Sequence, residues 1–165
     1  MKKICFLSIL AILTIAGCAP KTETEPVDLK AVNNEITQLV DQFTDAWNTE
    51  DLDALTLLIA DNGLFYGSDP SEQLNKTTLL KMWKDAFADT NDYSYKVNMR
   101  KIQVADDGKS AFVIEHNTID GWSPLMQVRQ TFQFVQTGNN WKIYYCSWAF
   151  IAANDDVEKL NKALE

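Results

Sequence analysis

One histidine, three cysteines and six glycines in 165 residues leave several kinds of chemistry without their parts. His116 alone cannot build a cluster with metal-ligand spacing, so no metal site is expected. The glycines form no phosphate-cradling loop, and no Gly-x-Ser-x-Gly elbow presents a nucleophilic serine. No cofactor is expected either. Basic residues are outnumbered, 15 Lys and Arg against 23 Asp and Glu, for a net charge of −8. That balance lacks the basic footprint nucleic acid requires, and it disfavours docking on anionic headgroups. Its simplest role is to keep a domain soluble. The apolar stretch Ile4–Ile15 is short of the ~20 residues a membrane-spanning helix needs.

What is present at the start of the chain has an order of its own. Lys2 and Lys3 precede the apolar stretch, and Ile15-Ala16-Gly17-Cys18 closes it. This resembles a bacterial lipoprotein signal. The resemblance implies that residues 1–17 are a removable signal peptide and that the thiol of Cys18 is acylated. Acyl chains would then hold the protein on a membrane at roughly 0.8 kcal/mol per buried CH₂. The residue after Cys18 is Ala19 rather than Asp, which for such lipoproteins implies the outer membrane of the cell envelope where a cell has two. Residues 18–30, with Pro20, Pro26 and several acids, cannot bury enough apolar area to order themselves and read as a flexible tether. With Cys5 removed and Cys18 lipidated, Cys146 has no partner for a disulfide. Set in Tyr144-Tyr145-Cys146-Ser147-Trp148, it reads as a small buried hydrophobe rather than a nucleophile.

About 135 residues follow the tether, one domain of ordinary size. Val32, Ile36, Leu39, Val40, Phe43 and Trp47 recur at threes and fours and predict a helix over 31–48. Asp51 caps a second helix over 51–60, ended by Asp61-Asn62-Gly63. Leu64-Phe65-Tyr66 is a short strand, and Gly67-Ser68-Asp69-Pro70 a turn. A third helix spans 76–88. Beyond residue 92 the period changes to two. Strands are predicted over 93–104, with a bulge near Arg100, and over 110–119, 125–136 and 141–151. Asp106-Asp107-Gly108 and Gly138-Asn139-Asn140 are hairpin turns, and Asp120-Gly121-Trp122-Ser123-Pro124 is a longer loop. The domain is placed at 31–152, and residues 153–165 add a C-terminal helical segment. The fold class is α+β: a curved antiparallel sheet of four long strands and one short one, wrapped around three N-terminal helices.

Three stretches are similar to those of SnoaL-like domains. Trp47-Asn48-Thr49-Glu50-Asp51-Leu52-Asp53-Ala54-Leu55 matches the family's passage from first to second helix. Leu64-Phe65-Tyr66-Gly67-Ser68-Asp69-Pro70-Ser71-Glu72 matches its short strand and following turn. Trp141-Lys142-Ile143 matches the opening of its last strand. The chain thus resembles the nuclear transport factor 2-like (ketosteroid isomerase-like) superfamily over about 31–150, whose cone-shaped fold holds a cavity. The resemblance implies isomerisation, cyclisation, dehydration, hydrolysis or plain binding. Many relatives carry a last-strand His two residues before a Ser; here Ser147 and Ala149 stand there, which weakens the case for an enzyme.

Strict alternation on the last strand puts Trp141, Ile143, Tyr145, Ser147 and Ala149 on one face, which the resemblance turns into the cavity. Tyr144, Trp148 and Phe150 fall on the other face, an apolar row suited to a homodimer interface unless the C-terminal segment covers it. Asp69 is either a general base at the cavity mouth or an Asx turn before Pro70, the turn being the simpler account. His116 is either an acid/base or a hydrogen-bonded sheet residue. Arg129 either holds an anionic ligand or pairs with Glu115 across the sheet. Trp47, Phe65, Trp83, Trp122 and Tyr145 are the aromatics placed to line the cavity or its rim, with Trp122 the gate candidate. The leading expectation is a lipid-anchored domain whose aromatic pocket binds a small, largely apolar molecule. The alternatives are an isomerase, dehydratase or hydrolase using Asp69 or His116, and a dimeric interaction module without ligand.

Overall fold

The computed structural model describes residues 26–89 and 93–165. The expected signal peptide, Cys18 and most of the expected tether lie outside the described residues. Among the described residues no helix is long and apolar enough to cross a membrane.

The chain opens with α1 (Leu29–Asn48), two residues earlier than the apolar stripe predicts. The cause is Asp28, whose side chain accepts from the backbone N–H groups of Lys30 and Ala31 at 3.0 Å each and so satisfies two orphan donors. The stripe buries Ile36, Val40, Phe43, Ala46 and Trp47. Next come α2 (Leu52–Leu58), capped by Asp51 as expected, β1 (Ile59–Tyr66), the two-residue strand β2 (Gln73–Leu74) and α3 (Lys76–Phe87). Asn75 caps α3 in a reciprocal box with Thr78. Four long strands follow: β3 (Ser94–Val104), β4 (Ser110–Asp120), β5 (Ser123–Thr137) and β6 (Asn140–Ile151). A 3₁₀ turn (Asn154–Asp156) and α4 (Val157–Ala163) end the chain, with none of their own residues buried.

The strands make one curved, unclosed sheet in the order β2-β1-β6-β5-β4-β3. All neighbours are antiparallel except β1 and β6, which run parallel. The helices pack on its inner face, so the architecture is the α+β one expected. β1 is longer than the expected Leu64–Tyr66 because Asp61-Asn62-Gly63 does not end α2. It forms a bulge within β1, where pairing with β6 slips between Ile59 and Leu64. Gly63 is required there: a Cβ would drive into the Phe65 ring and crowd the Tyr144 carbonyl.

Bulges decide which side chains face the helices, since one extra residue exchanges the two faces of a strand, and those on β3 and β6 bear on the expected site residues. On β3 the slip falls between Val97 and Met99, two residues before the expected position near Arg100. It turns Met99 outward and brings Arg100, Ile102 and Val104 inward. On β6 it falls at Tyr144, because Phe134 pairs with Ile143 but Gln133 pairs with Tyr145. Trp141 and Ile143 therefore face inward, as expected, and beyond the bulge so do Cys146 and Trp148. Tyr145, Ser147 and Ala149 turn outward, contrary to strict alternation. The expected Tyr144/Trp148/Phe150 row does not exist as one outward surface, because Trp148 is 6% exposed in the core.

Candidate aromatic cavity

Aromatic side chains from four elements converge at one end of the helix layer. Trp47, in the last turn of α1, stands edge-to-face with Trp83 of α3 at 5.7 Å and with Tyr95 of β3 at 5.1 Å. Trp83 also meets Phe43 at 5.8 Å and Trp148 of β6 at 6.2 Å. Offset and perpendicular pairs suit the ring quadrupoles, so one cluster ties α1, α3, β3 and β6 together. Asn48 adds a polar clamp. Its amide donates to the Tyr95 carbonyl at 3.2 Å and its carbonyl accepts the Tyr95 N–H at 2.8 Å. The Trp47-Asn48 pair in the sequence thus fixes the end of α1 to the start of β3.

These rings leave a cavity of about 250 Å³. Trp47, Trp83, Tyr95, Ile119 and Trp148 form its inner wall. Met82 and Ala86 of α3 and Tyr93 close the sides, and Gly67, Ser68 and Glu72 from the β1–β2 turn stand at the mouth. Trp122 completes the rim. It sits on a tight turn between β4 and β5 in which Gly121 has φ +78°, not on the longer loop expected. Its ring leans on Phe150 at 4.9 Å and stays 44% exposed.

Among the described residues Glu72 is the one charged residue in this lining. One carboxylate oxygen accepts the Asp69 N–H at 3.0 Å, and the side chain lies flat on Gly67, where a Cβ would collide with it. Asp69 makes the Asx turn: its carboxylate accepts from the Ser71 N–H at 2.8 Å and from the Ser71 hydroxyl at 2.5 Å. The Ser71 hydroxyl and N–H hold its pKa below the usual carboxylate value, the opposite of the raised pKa a general base needs. Asp69 does not line the cavity.

His116 and Arg129 are not in the cavity either. They face each other on the outer side of the sheet, where Arg129 Nε donates to His116 Nε2 at 3.3 Å. Arg129 does not pair with Glu115. That partner is Arg100, turned inward by the β3 bulge. Its Nε donates to Glu115 Oε1 at 2.5 Å and its Nη1 to Asp41 Oδ1 at 2.6 Å. Burial alone would lower the guanidinium pKa, but the two carboxylates outweigh it and raise it. Glu115, 1% exposed, leads into a buried polar row. Asn117 Nδ2 donates to Gln130 Oε1 at 3.0 Å and lies 3.4 Å from Glu115 Oε2. Gln130 Nε2 reaches Cys146 Sγ at 3.8 Å. Burial pushes the Cys146 thiol, and likewise the Tyr95 phenol, well above their ordinary pKa values, so both stay protonated and Cys146 is no nucleophile.

Of the expected site residues, Trp47, Trp83 and Trp122 come together at the cavity. Phe65 is wholly buried in the core. Tyr145 and Ser147 lie on the outer face, where Tyr145 packs near Tyr66 at 6.2 Å. Trp148, Tyr93, Tyr95 and Glu72 are cavity residues that sequence reasoning did not assign. For Glu72 a signal existed: an acid five residues after Gly67, at the far end of a turn whose first residue cannot carry a side chain. For Trp148 there was none, because a bulge put it there. Among the described residues no group of three or more His, Cys, Asp or Glu side chains gathers as a metal site.

The SnoaL-like domain family model matches residues 36–153. The chain belongs to the SnoaL-like domain family. Solved structures agree on the fold. An NTF2-like protein from Pseudomonas putida KT2440 is 18% identical with TM-score 0.67, over 76% of this chain and 91% of that one. A protein with a cystatin-like fold from Caulobacter vibrioides is 13% identical with TM-score 0.66, over 82% of this chain and 99% of that one. An NTF2-like protein from Cytophaga hutchinsonii is 17% identical with TM-score 0.59, over 72% and 98%. A search of curated proteins finds no match. At such identities the structures speak for the fold of the SnoaL-like domain and not for its ligand.

Proposed function

We propose that this SnoaL-like domain holds a small, largely apolar molecule in the aromatic cavity and is tethered to a membrane of the cell envelope through lipid on Cys18. The cavity carries the first part. A void of about 250 Å³ with tryptophans on several walls and few polar groups is the usual form of a small-molecule site. Its size falls below the ~300–1,000 Å³ of drug-sized pockets, so the occupant has few heavy atoms. Lys2, Lys3, the apolar stretch and Cys18 support the second part. The enzyme alternative gains nothing from Asp69 or His116, since neither reaches the cavity. Self-association would need a surface other than the one expected through Trp148.

Native mass spectrometry of the purified protein tests the binding. The reading expects a co-purifying small molecule whose occupancy falls when Trp148→Ala opens the inner wall. A protein that emerges empty, and whose tryptophan fluorescence responds to no member of a small-molecule panel, refutes it. Metabolic labelling with an alkyne fatty acid tests the anchor: label should be present in the wild type and absent in Cys18→Ser.

A further inference from the structure

We infer that the occupant is an organic cation, a small alkylammonium with an apolar body. The inference rests on the binding reading above and names the ligand class for that same cavity. Among the described residues the lining contains Glu72 as its one charged group and no lysine, arginine or histidine. An anion would meet a carboxylate and no counter-charge, in a chain already at −8. A neutral apolar molecule would leave the Glu72 carboxylate unused at the mouth. A cation uses both features.

The rings supply the rest. Trp47 and Trp83 stand at 87°, Trp83 and Trp148 at 88°, and Trp47 and Tyr95 at 81°. Three tryptophans and a tyrosine, Trp47, Trp83, Trp148 and Tyr95, thus line one void, so a cation held in it lies beside several π systems. Each face attracts a cation through its quadrupole, most strongly for tryptophan and more when water is excluded. Glu72 spends one carboxylate oxygen on the Asp69 N–H, and its other oxygen has no hydrogen-bond partner among the described residues. That oxygen is free to face the charge, and Gly67 leaves room for the carboxylate to lie flat beside the void. A volume of about 250 Å³ leaves room for a trimethylammonium group with a short tail.

The test uses a pair of probes of equal shape. Choline and 3,3-dimethylbutan-1-ol differ by one quaternary nitrogen in place of a carbon, hence by the charge alone. Both are titrated into the purified full-length protein, in a detergent without a quaternary ammonium. Binding is read by tryptophan fluorescence and isothermal calorimetry. The proposal expects choline to bind at least about tenfold more tightly than the alcohol. It also expects Glu72→Gln to weaken choline by about tenfold and leave the alcohol unchanged. Equal or tighter binding of the alcohol overturns the cation while leaving an apolar cavity that binds. Binding of neither probe overturns it as well, and native mass spectrometry then judges the cavity separately. Choline binding that Glu72→Gln does not alter removes Glu72 from the recognition and refutes the proposal as stated.

Discussion

Replacing Arg100 with leucine should cost this domain far more than the loss of a surface ion pair. The guanidinium links two acids of very different exposure. Asp41 is 58% exposed and can return to water, so its pairing contributes little, within the 0–1 kcal/mol of surface pairs. Glu115 is 1% exposed and cannot. Without Arg100 it keeps only the 3.4 Å approach of the Asn117 amide. An uncompensated buried charge costs roughly 3–5 kcal/mol. The partial exposure of the site, 17% at Arg100, argues for the lower end, about 3 kcal/mol. With a urea m-value near 1.5 kcal/mol/M, the unfolding midpoint should fall by about 2 M with m unchanged. The double variant Arg100→Leu/Glu115→Leu removes the stranded charge and should recover most of the loss. A single variant within about 1 kcal/mol of wild type, or a double variant as unstable as the single, refutes the account of a buried charge held by one guanidinium.

Gly63→Ala should destabilise by about 1–3 kcal/mol, because its Cβ overlaps the Phe65 ring and the backbone at Tyr144; a melting temperature unchanged from wild type refutes the close approach. In a Cys5→Ser/Cys18→Ser chain, Cys146 should ignore a disulfide-exchange reagent at mildly alkaline pH and react fully in concentrated guanidinium, since burial raises its pKa; rapid reaction of the native protein would contradict this. Asp69→Asn and His116→Asn should leave any ligand response intact, as both lie off the cavity. Asp69 has its pKa lowered in the fold, so its contribution to stability is present at neutral pH and lost as pH falls through the folded pKa. Asp69→Asn should flatten that part of the acid profile, and an unchanged profile would show the Ser71 bonds to be unimportant.

The helices were legible because their signals are local. Spacing marks the stripe of α1, and Asp51 and Asn75 sit where free amides need them. The alternation of β4 and β5 was equally plain, so the fold class followed. The site was less legible because two single-residue insertions control it. The bulges at Asn98 and Tyr144 are set by register against partner strands: a change of parity before Ile102 and Val104 announced the first to within two residues, and nothing in the composition of β6 announces the second. The second exchanged an expected pair of faces: Tyr145 left the interior and Trp148 entered it. The first brought Arg100 inward, to Glu115, one of the two partners open to Arg129 in the sequence. Residues on helices or tight turns, such as Trp47, Trp83 and Trp122, were placed without error of this kind.

The two ends of α1 mark opposite poles of the molecule. Its start lies beside the β3–β4 hairpin, where Val27 packs at Gly108, and its last turn carries Trp47 into the cavity wall. Twenty residues of helix separate them, a span of ~30 Å. One unbroken rod thus joins the hairpin end of the molecule to the wall of the void.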